Sequence, residues 1–498
     1  MSFDYRIYLN CHDIDHHIDL HETSTGEVEM HGKRYSLASD DRELFQSLFS
    51  FVQSLHSIND IAARASLSGR VEKILSGDEA LSDRVDCHCK ALVEAGFTGS
   101  VLIERDGKVL VNKKYGKAAD EDAGKPFYVA SLTKQFTAAA IMQLVEKGLI
   151  DVEKSINEYL PPELQSDRWA EVTVHHLLSN QSGIHNFTRS PGYEEKTLDL
   201  VLDEEKGREL EFAPGSEFEY SNTNYQLLGK IIAHVSQVPY GQYIKEHLLE
   251  PAGMNSSRVQ SEGEKGPDQE VVQGYKVLPD AAIEKTTAAD LHLIYAAGGV
   301  ISTASDMAKW SDVLDGETAI LSKASVKRMT TAYRDQYGYG LCVYDDEERP
   351  IVRHAGELAG FNTEFCKYPK QKAVIIVLSN NQNFEVLPLA ENLEKIVFDG
   401  KMDLAVPVSR MDQDFLDYKG AYQSQQNSDA ILRLEVTESG SLQAFFQDSP
   451  AFPAFPLSNG DFFVPGLGWE FEKQENGSLL VYVFGRSEPF DTFISSSI

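Results

Sequence analysis

The stretch YVASLTK, residues 128–134, places Ser131 and Lys134 three positions apart at the start of a helical segment. The helix is predicted to run from residue 131 to 147 and to end at Gly148. Residues three apart on a helix share a face, so the lysine amine is expected within hydrogen-bond reach of the serine hydroxyl. A desolvated lysine can lose its proton near neutral pH and activate a serine, which is a poor nucleophile by itself. The alternative is a solvated helix start, since two fixed positions in four also arise by chance.

A second element stands about ninety residues later, where Tyr220 and Asn222 belong to the sequence YSN. A tyrosine hydroxyl near a lysine can act as general base and then as acid to the leaving group. An asparagine beside it can bind a substrate carbonyl and the lysine together. In the structural alternative, Tyr220 is a core aromatic residue and Asn222 caps the next helix.

The third element is HAGE at residues 354–357, just before a strand-like run at residues 361–368. We expect it to form an edge strand that lines a cleft. A backbone N–H there could complete an oxyanion hole with the N–H of Ser131. Taken alone, His354 is more often an ordinary, partly buried histidine.

In this order and spacing, the three elements resemble the serine β-lactamase and penicillin-binding-protein superfamily. The similarity is greatest to its class C branch, which includes D-aminopeptidases and family VIII esterases. Class A enzymes carry Ser-Asp-Asn where this chain has Tyr-Ser-Asn, and that replacement marks the class C branch. Further landmarks of the family lie at residues 97–111, 174–184, 251–254, 298–303 and 339–341.

The resemblance covers about residues 90–400 and implies an α+β fold of the β-lactamase/DD-peptidase type. In such a fold a helical lobe packs against an antiparallel sheet flanked by helices, and the active site lies between them. The resemblance makes Ser131 the acylated nucleophile, and it gives the proton transfers to Lys134 and Tyr220 without deciding which one is the base. The backbone N–H groups of Ser131 and Glu357 would hold the oxyanion. The substrate-binding residues implied are Asn222, His354, Gly356 and Glu357.

The third element departs from the β-lactamase pattern in a way that bears on the substrate. β-Lactamases offer a lysine and a threonine there to grip the substrate carboxylate, whereas His354 is mostly neutral at pH 7 and Ala355 has no hydroxyl. Glu357 adds a negative charge nearby, unless its side chain simply points to solvent. We therefore expect carboxylate-bearing β-lactams to be held weakly.

The function predicted is that of a serine hydrolase acting through an acyl-enzyme, without a metal or organic cofactor. Its expected substrates are amides or esters, with D-amino-acid peptides or small esters preferred. A DD-carboxypeptidase or weak β-lactamase is the alternative among enzymes. A non-catalytic scaffold or binding protein on the same fold is the alternative outside them, although such a protein has no reason to retain Ser131, Lys134, Tyr220 and Asn222 together.

The net charge and hydrophobic content of the chain indicate which classes of partner it can bind. The 498 residues carry 46 Lys and Arg against 77 Asp and Glu, a formal net charge of −31, and 42% of them are hydrophobic. Such a chain has globular cores, and its acidic surface is repelled by phosphate backbones and anionic lipid. We expect a small-molecule or peptide substrate, no nucleic-acid or membrane partner, and leave a homo-oligomer open.

A cytoplasmic location is expected. The first residues lack the positive charge and apolar run of a signal peptide, and no apolar run approaches the roughly 18 residues that span a membrane. Five cysteines are too few for a disulfide framework and favour free thiols in a reducing compartment.

Three domains are expected at about 150 residues per domain. Residues 1–72 are predicted to be a small α+β domain of unknown function, with an antiparallel meander and a helix from about residue 42 to 63. Residues 73–406 are the predicted hydrolase domain, mostly helical between 150 and 330. Residues 407–498 are predicted to be an all-β domain, a sandwich or a barrel. Tyr418, Gly420 and Tyr422, followed by short strands, resemble the lipocalin-like barrel appended to some D-aminopeptidase-like relatives, which implies a domain that restricts the cleft, mediates oligomerisation or is an inert spacer.

A metal site is disfavoured. Histidines and a cysteine are concentrated near the start of the chain, but they lack a chelating spacing, so a solvated charged face is the favoured interpretation. The sequence Cys87-His88-Cys89 lies on a predicted helix, where residues two apart point in different directions. The N-terminal residues concerned are Cys11, His12, His16, His17, His21 and His31.

Overall fold

The structure is a computed structural model, and its described residues cover most of the predicted hydrolase domain and the strands at both ends of the chain. Both expected domain boundaries, at 72/73 and 406/407, and the helix expected over residues 42–63 lie outside the described residues. The described residues are 4–11, 14–22, 27–30, 33–36, 78–94, 96–120, 124–260, 270–277, 283–286, 293, 295–399, 418–426, 430–436, 442–446, 452–456, 462–464, 469–474, 478–483 and 491–496.

The strands are numbered in chain order. They are β1 (Asp4–Cys11), β2 (Ile14–Glu22), β3 (Glu27–Met30), β4 (Lys33–Ser36), β5 (Gly99–Arg105), β6 (Lys108–Tyr115), β7 (Phe127–Tyr128), β8 (Arg258–Val259), β9 (Tyr275–Val277), β10 (Ile283–Lys285), β11 (Val300–Ser302), β12 (Cys342–Tyr344), β13 (Ile351–Leu358), β14 (Phe361–Tyr368), β15 (Ala373–Ser379), β16 (Gly420–Ser424), β17 (Ile431–Val436), β18 (Leu442–Phe446), β19 (Phe452–Pro456), β20 (Phe462–Val464), β21 (Trp469–Lys473), β22 (Leu479–Val483) and β23 (Asp491–Ser496).

The helices are numbered in the same way. They are α1 (Asp78–Glu94), α2 (Lys117–Asp120), α3 (Thr133–Glu146), α4 (Val174–Leu178), α5 (Leu198–Lys206), α6 (Asn222–Ser236), α7 (Tyr240–Ile244), α8 (Ala304–Val313), α9 (Lys323–Met329) and α10 (Val386–Glu394). Short 3-10 turns and two π turns lie between them, at Ala130–Leu132, Ile156–Glu158, Pro162–Leu164, Asp167–Trp169, Phe187–Arg189, Tyr193–Glu195, Lys245–Leu249 and Lys395–Asp399.

A six-stranded antiparallel sheet, in the order β12-β13-β14-β15-β5-β6, forms the centre of the hydrolase region. Every residue of β15 is buried, as expected for an apolar strand covered on both faces. The hairpin of β5 and β6 turns at Asp106 and Gly107, whose φ angles are 52° and 71°. Two successive positive φ angles are the requirement of the turn that an Asp-Gly pair favours, so the predicted hairpin is confirmed.

Helices cover both faces of this sheet. On one face, Val101 and Ile375 belong to one apolar cluster with Leu92 of α1 and Leu393 of α10. On the other face, Leu102, Phe365 and Ile376 join a larger cluster that contains α3 and most of the helical lobe. The layered arrangement is the one that the family resemblance implies, and the α+β fold class is confirmed.

The central helix of the lobe is α3. Its residues from Thr133 to Leu144 are all buried, so the helix is enclosed on every side rather than amphipathic. It ends where expected, before Gly148, whose φ is 69°. Because α3 is enclosed on every side, it holds the residues at its N-terminal end in fixed positions.

The middle of the chain is less helical than predicted. Between residues 150 and 220 the α-helices are α4 and α5, of five and nine residues, and the rest is 3-10 turns and loops. The chain there contains a Pro161-Pro162 pair, and Gly183 and Gly192 have φ angles of 73° and 71°. Prolines and left-handed glycines interrupt a helix, which accounts for the difference.

Two further sheets lie near the ends of the chain. Strands β1-β2-β3-β4 form an antiparallel meander, as predicted. Strands β16 to β23 form a closed antiparallel barrel, as predicted, because β16 also pairs with β23. Leu432, Leu434, Phe462 and Phe471 are fully buried in it, so side chains fill the barrel interior.

Among the helices that the structure describes, none has the length and apolar character needed to cross a membrane.

Candidate active site

Ser131 lies in a strained turn directly before α3. The turn is the 3-10 segment Ala130–Leu132, and Ala130 has a φ of 50°, which residues other than glycine rarely adopt. Leu132 N–H donates to Val129 O at 3.2 Å, and Val129 N–H donates to Val300 O at 3.1 Å. Ala130 and Leu132 are buried whereas Ser131 is half-buried, so the turn presents the serine between two anchored neighbours.

Lys134 lies one turn further along, fully buried beneath the serine. Its Nζ is 2.9 Å from Ser131 Oγ, 2.8 Å from Asn222 Oδ1 and 2.9 Å from Ala297 O. It makes no ion pair with any residue in the described ranges. Burial therefore holds the pKa of the Lys134 amine well below its ordinary value.

Tyr220 completes the contacts of the serine. Its hydroxyl donates to Ser131 Oγ at 2.9 Å, and burial raises the pKa of the phenol. Lys134 Nζ lies 4.9 Å from the centre of the Tyr220 ring and 5.6 Å from that of Tyr225, within the range of cation–π attraction. The alternative in which Tyr220 is only a core aromatic residue is wrong.

Asn222 is the first residue of α6, and Ser221 is the residue that precedes the helix. The Asn222 side chain contacts Lys134 and makes no capping bond, so the capping alternative is also wrong. Two asparagines fix this loop: Ser221 N–H donates to Asn180 Oδ1 at 3.2 Å, and Asn222 N–H donates to Asn186 Oδ1 at 3.2 Å. Sequence reasoning missed both, although Asn180 lies inside the landmark segment 174–184.

The strand expected at the sheet edge, β13, is an inner strand from Ile351 to Arg353, because the short edge strand β12 pairs with it there. Beyond that pairing, β13 packs directly against the serine turn at Gly356. A Cβ on Gly356 would lie 2.5 Å from Val129 O and 3.1 Å from Ser131 N, so no side chain fits there. The Thr363 hydroxyl lies 3.0 Å from Val129 O and 3.2 Å from Gly356 O, and its single O–H is shared between these two acceptors, which joins the turn to the sheet. Thr363 was not singled out from the sequence, where a buried strand threonine gives no distinctive signal.

Strand register decides which side chains of β13 face the serine. Cross-strand partners share a face of the sheet, and His354 is paired with Phe365, which packs in the cluster of the helical lobe. Glu357 is three residues from His354 and one from Gly356, so its side chain alternates to the opposite face of the strand, and it pairs with Asn362. Its exposed carboxylate therefore lies on the face of the strand opposite the His354 imidazole, 3.5 Å from Gln382 Nε2.

His354 is buried, at 4% exposure, rather than open to the cleft. Its Nε2 lies 3.1 Å from Tyr337 Oη, and its Nδ1 lies 2.5 Å from Ala355 O. Burial, and then the positive charge of Lys134, lower the pKa of His354 to about 3. The histidine is neutral at pH 7 and cannot replace the carboxylate-gripping lysine of a β-lactamase.

No three His, Cys, Asp or Glu side chains among the described residues are grouped so that they could hold a metal ion. His88 and Cys89 are buried in α1, and burial lowers the pKa of His88 to about 4. The side chains of the N-terminal histidines lie outside the described residues.

The site defines a serine hydrolase of the penicillin-recognising type: Ser131 Oγ contacts the buried Lys134 and Tyr220, and Asn222 contacts Lys134, on a fold in which a helical lobe packs against an antiparallel sheet. The β-lactamase family model matches residues 90–396, more than half of the chain. The chain belongs to the β-lactamase family, within the β-lactamase and penicillin-binding-protein superfamily.

Similar proteins extend the match beyond the hydrolase region. Penicillin-binding protein 4* of Bacillus subtilis (strain 168) is 28% identical over 435 residues, which cover 79% of this chain and 94% of that protein. An octameric penicillin-binding protein homologue from Pyrococcus abyssi is 26% identical, with a TM-score of 0.56, over 81% of this chain and 97% of that one. D-amino acid amidase from Ochrobactrum anthropi SV3 shares the fold, with a TM-score of 0.56 and 22% identity over 64% of this chain and 99% of that one.

Proposed function

We propose that this chain hydrolyses amide or ester bonds of D-amino-acid derivatives or small acyl esters through an acyl-enzyme on Ser131. The observation that carries the proposal is the set of three contacts around Lys134 Nζ, to Ser131 Oγ, Asn222 Oδ1 and Ala297 O at 2.9, 2.8 and 2.9 Å. Each later step follows from what these atoms can donate or accept.

Lys134 is the proposed general base. The oxygens of Asn222 and Ala297 only accept hydrogen bonds, so they take both N–H bonds of a neutral amine. The lone pair of that amine then faces Ser131 Oγ. Because burial lowers the pKa of Lys134 and raises that of Tyr220, the amine rather than a phenolate is the group that is free to accept the serine proton.

Acylation then proceeds in balanced steps. Ser131 Oγ bonds to the substrate carbonyl carbon while its proton moves to Lys134. The C–N or C–O bond to the leaving group breaks, and the leaving group takes up a proton, with the Tyr220 hydroxyl placed to relay it. Water attacks the acyl-enzyme in the reverse sense, releases the acid and restores the serine.

The charge that develops on the carbonyl oxygen is assigned to the backbone N–H groups of Ser131 and Glu357. The close approach of Gly356 to the serine turn supports this assignment, because it brings the edge of β13 beside Ser131 N. Asn222 is proposed to orient the substrate as well as the amine, and His354 and Gly356 to shape the strand that the substrate lies along.

The proposed preference for substrates without a carboxylate beside the scissile bond rests on His354. A neutral, buried imidazole offers no cation there, and Ala355 offers no hydroxyl. The fold shared with a D-amino acid amidase is consistent with amides of D-amino acids.

The substrate class can be tested by comparing D-alanine p-nitroanilide, L-alanine p-nitroanilide and p-nitrophenyl butyrate with the same enzyme sample. We expect turnover of the D-anilide and the ester, and a lower kcat/KM for the L-anilide. Equal rates for both anilides would contradict the D-amino-acid assignment while leaving the hydrolase intact. Ser131→Ala is the control for each substrate.

A DD-carboxypeptidase or weak β-lactamase activity is the second candidate, and it is favoured by the 28% identity to a penicillin-binding protein over 94% of that protein. A fluorescent penicillin followed by intact-mass measurement tests it. We expect slow labelling of Ser131 in the wild type and no labelling in Ser131→Ala. Rapid nitrocefin hydrolysis by the wild type would make this candidate the better one.

We also propose the three-domain division at residues 72/73 and 406/407, assembly into a homo-oligomer and a cytoplasmic location. An octameric homologue at 26% identity supports the assembly, and light scattering of the full chain tests it. Free thiols at Cys89, Cys342 and Cys366 are consistent with a reducing compartment, and cell fractionation tests the location.

A further inference from the structure

Tyr337 is a buried tyrosine behind the candidate active site that the steps above do not use. It is 2% exposed and lies in a tight hairpin that precedes β12. Tyr337 N–H donates to Arg334 O at 2.9 Å, and Tyr333 N–H donates to Tyr337 O at 3.0 Å. The backbone of Tyr337 is therefore held from both sides, and its side chain projects from a fixed point.

The Tyr337 ring meets the rings of two active-site residues. It packs edge-on against Tyr220, with ring centres 6.2 Å apart and an interplanar angle of 84°, and against His354 at 5.9 Å and 76°. The Tyr220 and His354 rings are themselves 6.1 Å apart. Tyr220 is thus enclosed by two rings, while Lys134 Nζ lies 4.9 Å from its ring centre.

The hydrogen bond between Tyr337 and His354 has a defined direction. His354 Nδ1 lies 2.5 Å from Ala355 O, and a carbonyl oxygen can only accept, so the proton of the neutral imidazole is on Nδ1. Nε2 then carries a lone pair, and the Tyr337 hydroxyl, 3.1 Å away, must be the donor. One tautomer and one ring orientation of His354 satisfy both contacts.

We propose that Tyr337 is a positioning residue for hydrolysis: its hydroxyl bond to His354 Nε2 fixes the imidazole ring, and the two rings together hold Tyr220 Oη on Ser131 Oγ. This inference rests on the proposed function, because it is the reaction at Ser131 that gives the Tyr220 hydroxyl its task. Tyr337 touches neither the serine nor the lysine through a hydrogen bond, so it acts through its neighbours.

Removing only the hydroxyl separates this role from packing. Tyr337→Phe keeps the ring and its edge-on contacts, but leaves the buried Nε2 of His354 without a donor, so the imidazole is free to turn or change tautomer. Since small displacements of catalytic groups lower rates strongly, we expect kcat for p-nitrophenyl butyrate to fall about tenfold with KM little changed. The matched control is Tyr333→Phe on the same hairpin, where the hydroxyl donates to Arg328 O and the side chain is exposed. It should behave as wild type.

A readout that does not depend on activity is the nitrogen NMR spectrum of the His354 ring, assigned by its loss in His354→Gln. We expect an Nδ1-protonated neutral ring at pH 7 in wild type and in Tyr333→Phe, and a shifted or tautomer-averaged signal in Tyr337→Phe. In a His354→Leu background, Tyr337→Phe should cause no further loss of kcat.

The outcomes separate the two proposals. If Ser131-dependent turnover is intact but Tyr337→Phe matches Tyr333→Phe in kcat and in the His354 signal, the positioning role is overturned alone. If the further loss persists in the His354→Leu background, Tyr337 does not act through His354 and the inference is likewise overturned. If Ser131→Ala retains wild-type turnover, the proposed function fails and the positioning role fails with it, whatever the NMR signal shows.

Discussion

Replacing Lys134 with methionine removes the proposed base while keeping the length of a buried, unbranched side chain. The wild-type amine is fully buried, contacts Ser131 Oγ at 2.9 Å and lies on a helix whose residues from Thr133 to Leu144 are all buried. A methionine at this position fills nearly the same volume, so the helix and the serine turn should remain in place.

The expected loss follows from the chemistry of the amine. A positioned general base contributes about 10²–10⁴ in rate, or about 2.7–5.4 kcal/mol of barrier at 1.36 kcal/mol per factor of ten. We therefore expect kcat/KM for p-nitrophenyl butyrate to fall by about 10²–10⁴ in Lys134→Met. The free energy of unfolding should fall by less than the reaction barrier rises. Each acceptor left unpaired, Asn222 Oδ1 and Ala297 O, costs about 1–3 kcal/mol, and burial of the apolar methionine side chain partly offsets that cost.

The assay is the pre-steady-state release of p-nitrophenol, read beside thermal unfolding of the same samples. Lys147→Met, at the exposed residue directly after the same helix, is the matched control and should retain wild-type rates. Lys134→Arg should be as inactive as Lys134→Met, because a guanidinium stays protonated and cannot accept the serine proton. A folded Lys134→Met that acylates within about threefold of wild type, well short of the loss of a general base, would refute the assignment of the base.

Three further outcomes are expected. Because Lys134 must be neutral to act and burial lowers its pKa, kcat/KM should rise with pH and reach its plateau well below the ordinary lysine pKa of about 10.4. Half-maximal activity near that pKa would contradict the assignment of Lys134 as the base. Gly356→Ala should abolish ester turnover and lower the free energy of unfolding by about 1–3 kcal/mol through overpacking, because its Cβ would lie 2.5 Å from a backbone oxygen. Gly420→Ala, whose Cβ would have its nearest contact at 3.6 Å, should change neither ester turnover nor the free energy of unfolding. Arg353→Met should lower the free energy of unfolding by about 3–5 kcal/mol at pH 7, since it strands the buried Glu364 carboxylate 3.0 Å away. Burial raises the folded-state pKa of the Glu364 carboxyl, and that pKa rises further without the guanidinium. Denaturant titrations of Arg353→Met should therefore show the free energy of unfolding recovering as the pH falls. A loss of stability that does not depend on pH would contradict this expectation.

The parts of the fold that the sequence predicted are those with a local signature. The β5–β6 hairpin depends on an Asp-Gly turn, and the end of α3 on a glycine with positive φ. The barrel strands alternate apolar and polar residues around a filled interior. The helical content of residues 150–220 was overestimated, because apolar spacing alone does not show where prolines and left-handed glycines divide a helix into 3-10 turns.

The side chains of the candidate site were predictable as residue types, and their assembly was not. Ser131 and Lys134 are neighbours on one turn, but Tyr220 and Asn222 reach them across separations of 89 and 88 residues. Only the family resemblance indicated that these distant elements meet. The choice between Lys134 and Tyr220 as base stayed open, because it depends on burial, which the sequence does not give.

The backbone atoms of the candidate site, and the residues that position its side chains, have no marker in the sequence. The third acceptor of Lys134 is the carbonyl of Ala297, and any residue could supply it. The strained φ of 50° at Ala130 has no sequence marker, since the residue is not glycine. Tyr337 lies two residues before the family landmark at 339–341 and was not singled out, because only the tertiary structure creates its contact to His354.

The most direct test of the serine mechanism is intact-mass measurement during turnover of p-nitrophenyl butyrate, with Ser131→Ala beside the wild type. We expect a transient butyryl adduct on the wild type, located at Ser131 by peptide mapping, and neither adduct nor p-nitrophenol release by the variant. Turnover by Ser131→Ala at the wild-type rate, or a butyryl group mapped to another residue, would contradict the mechanism.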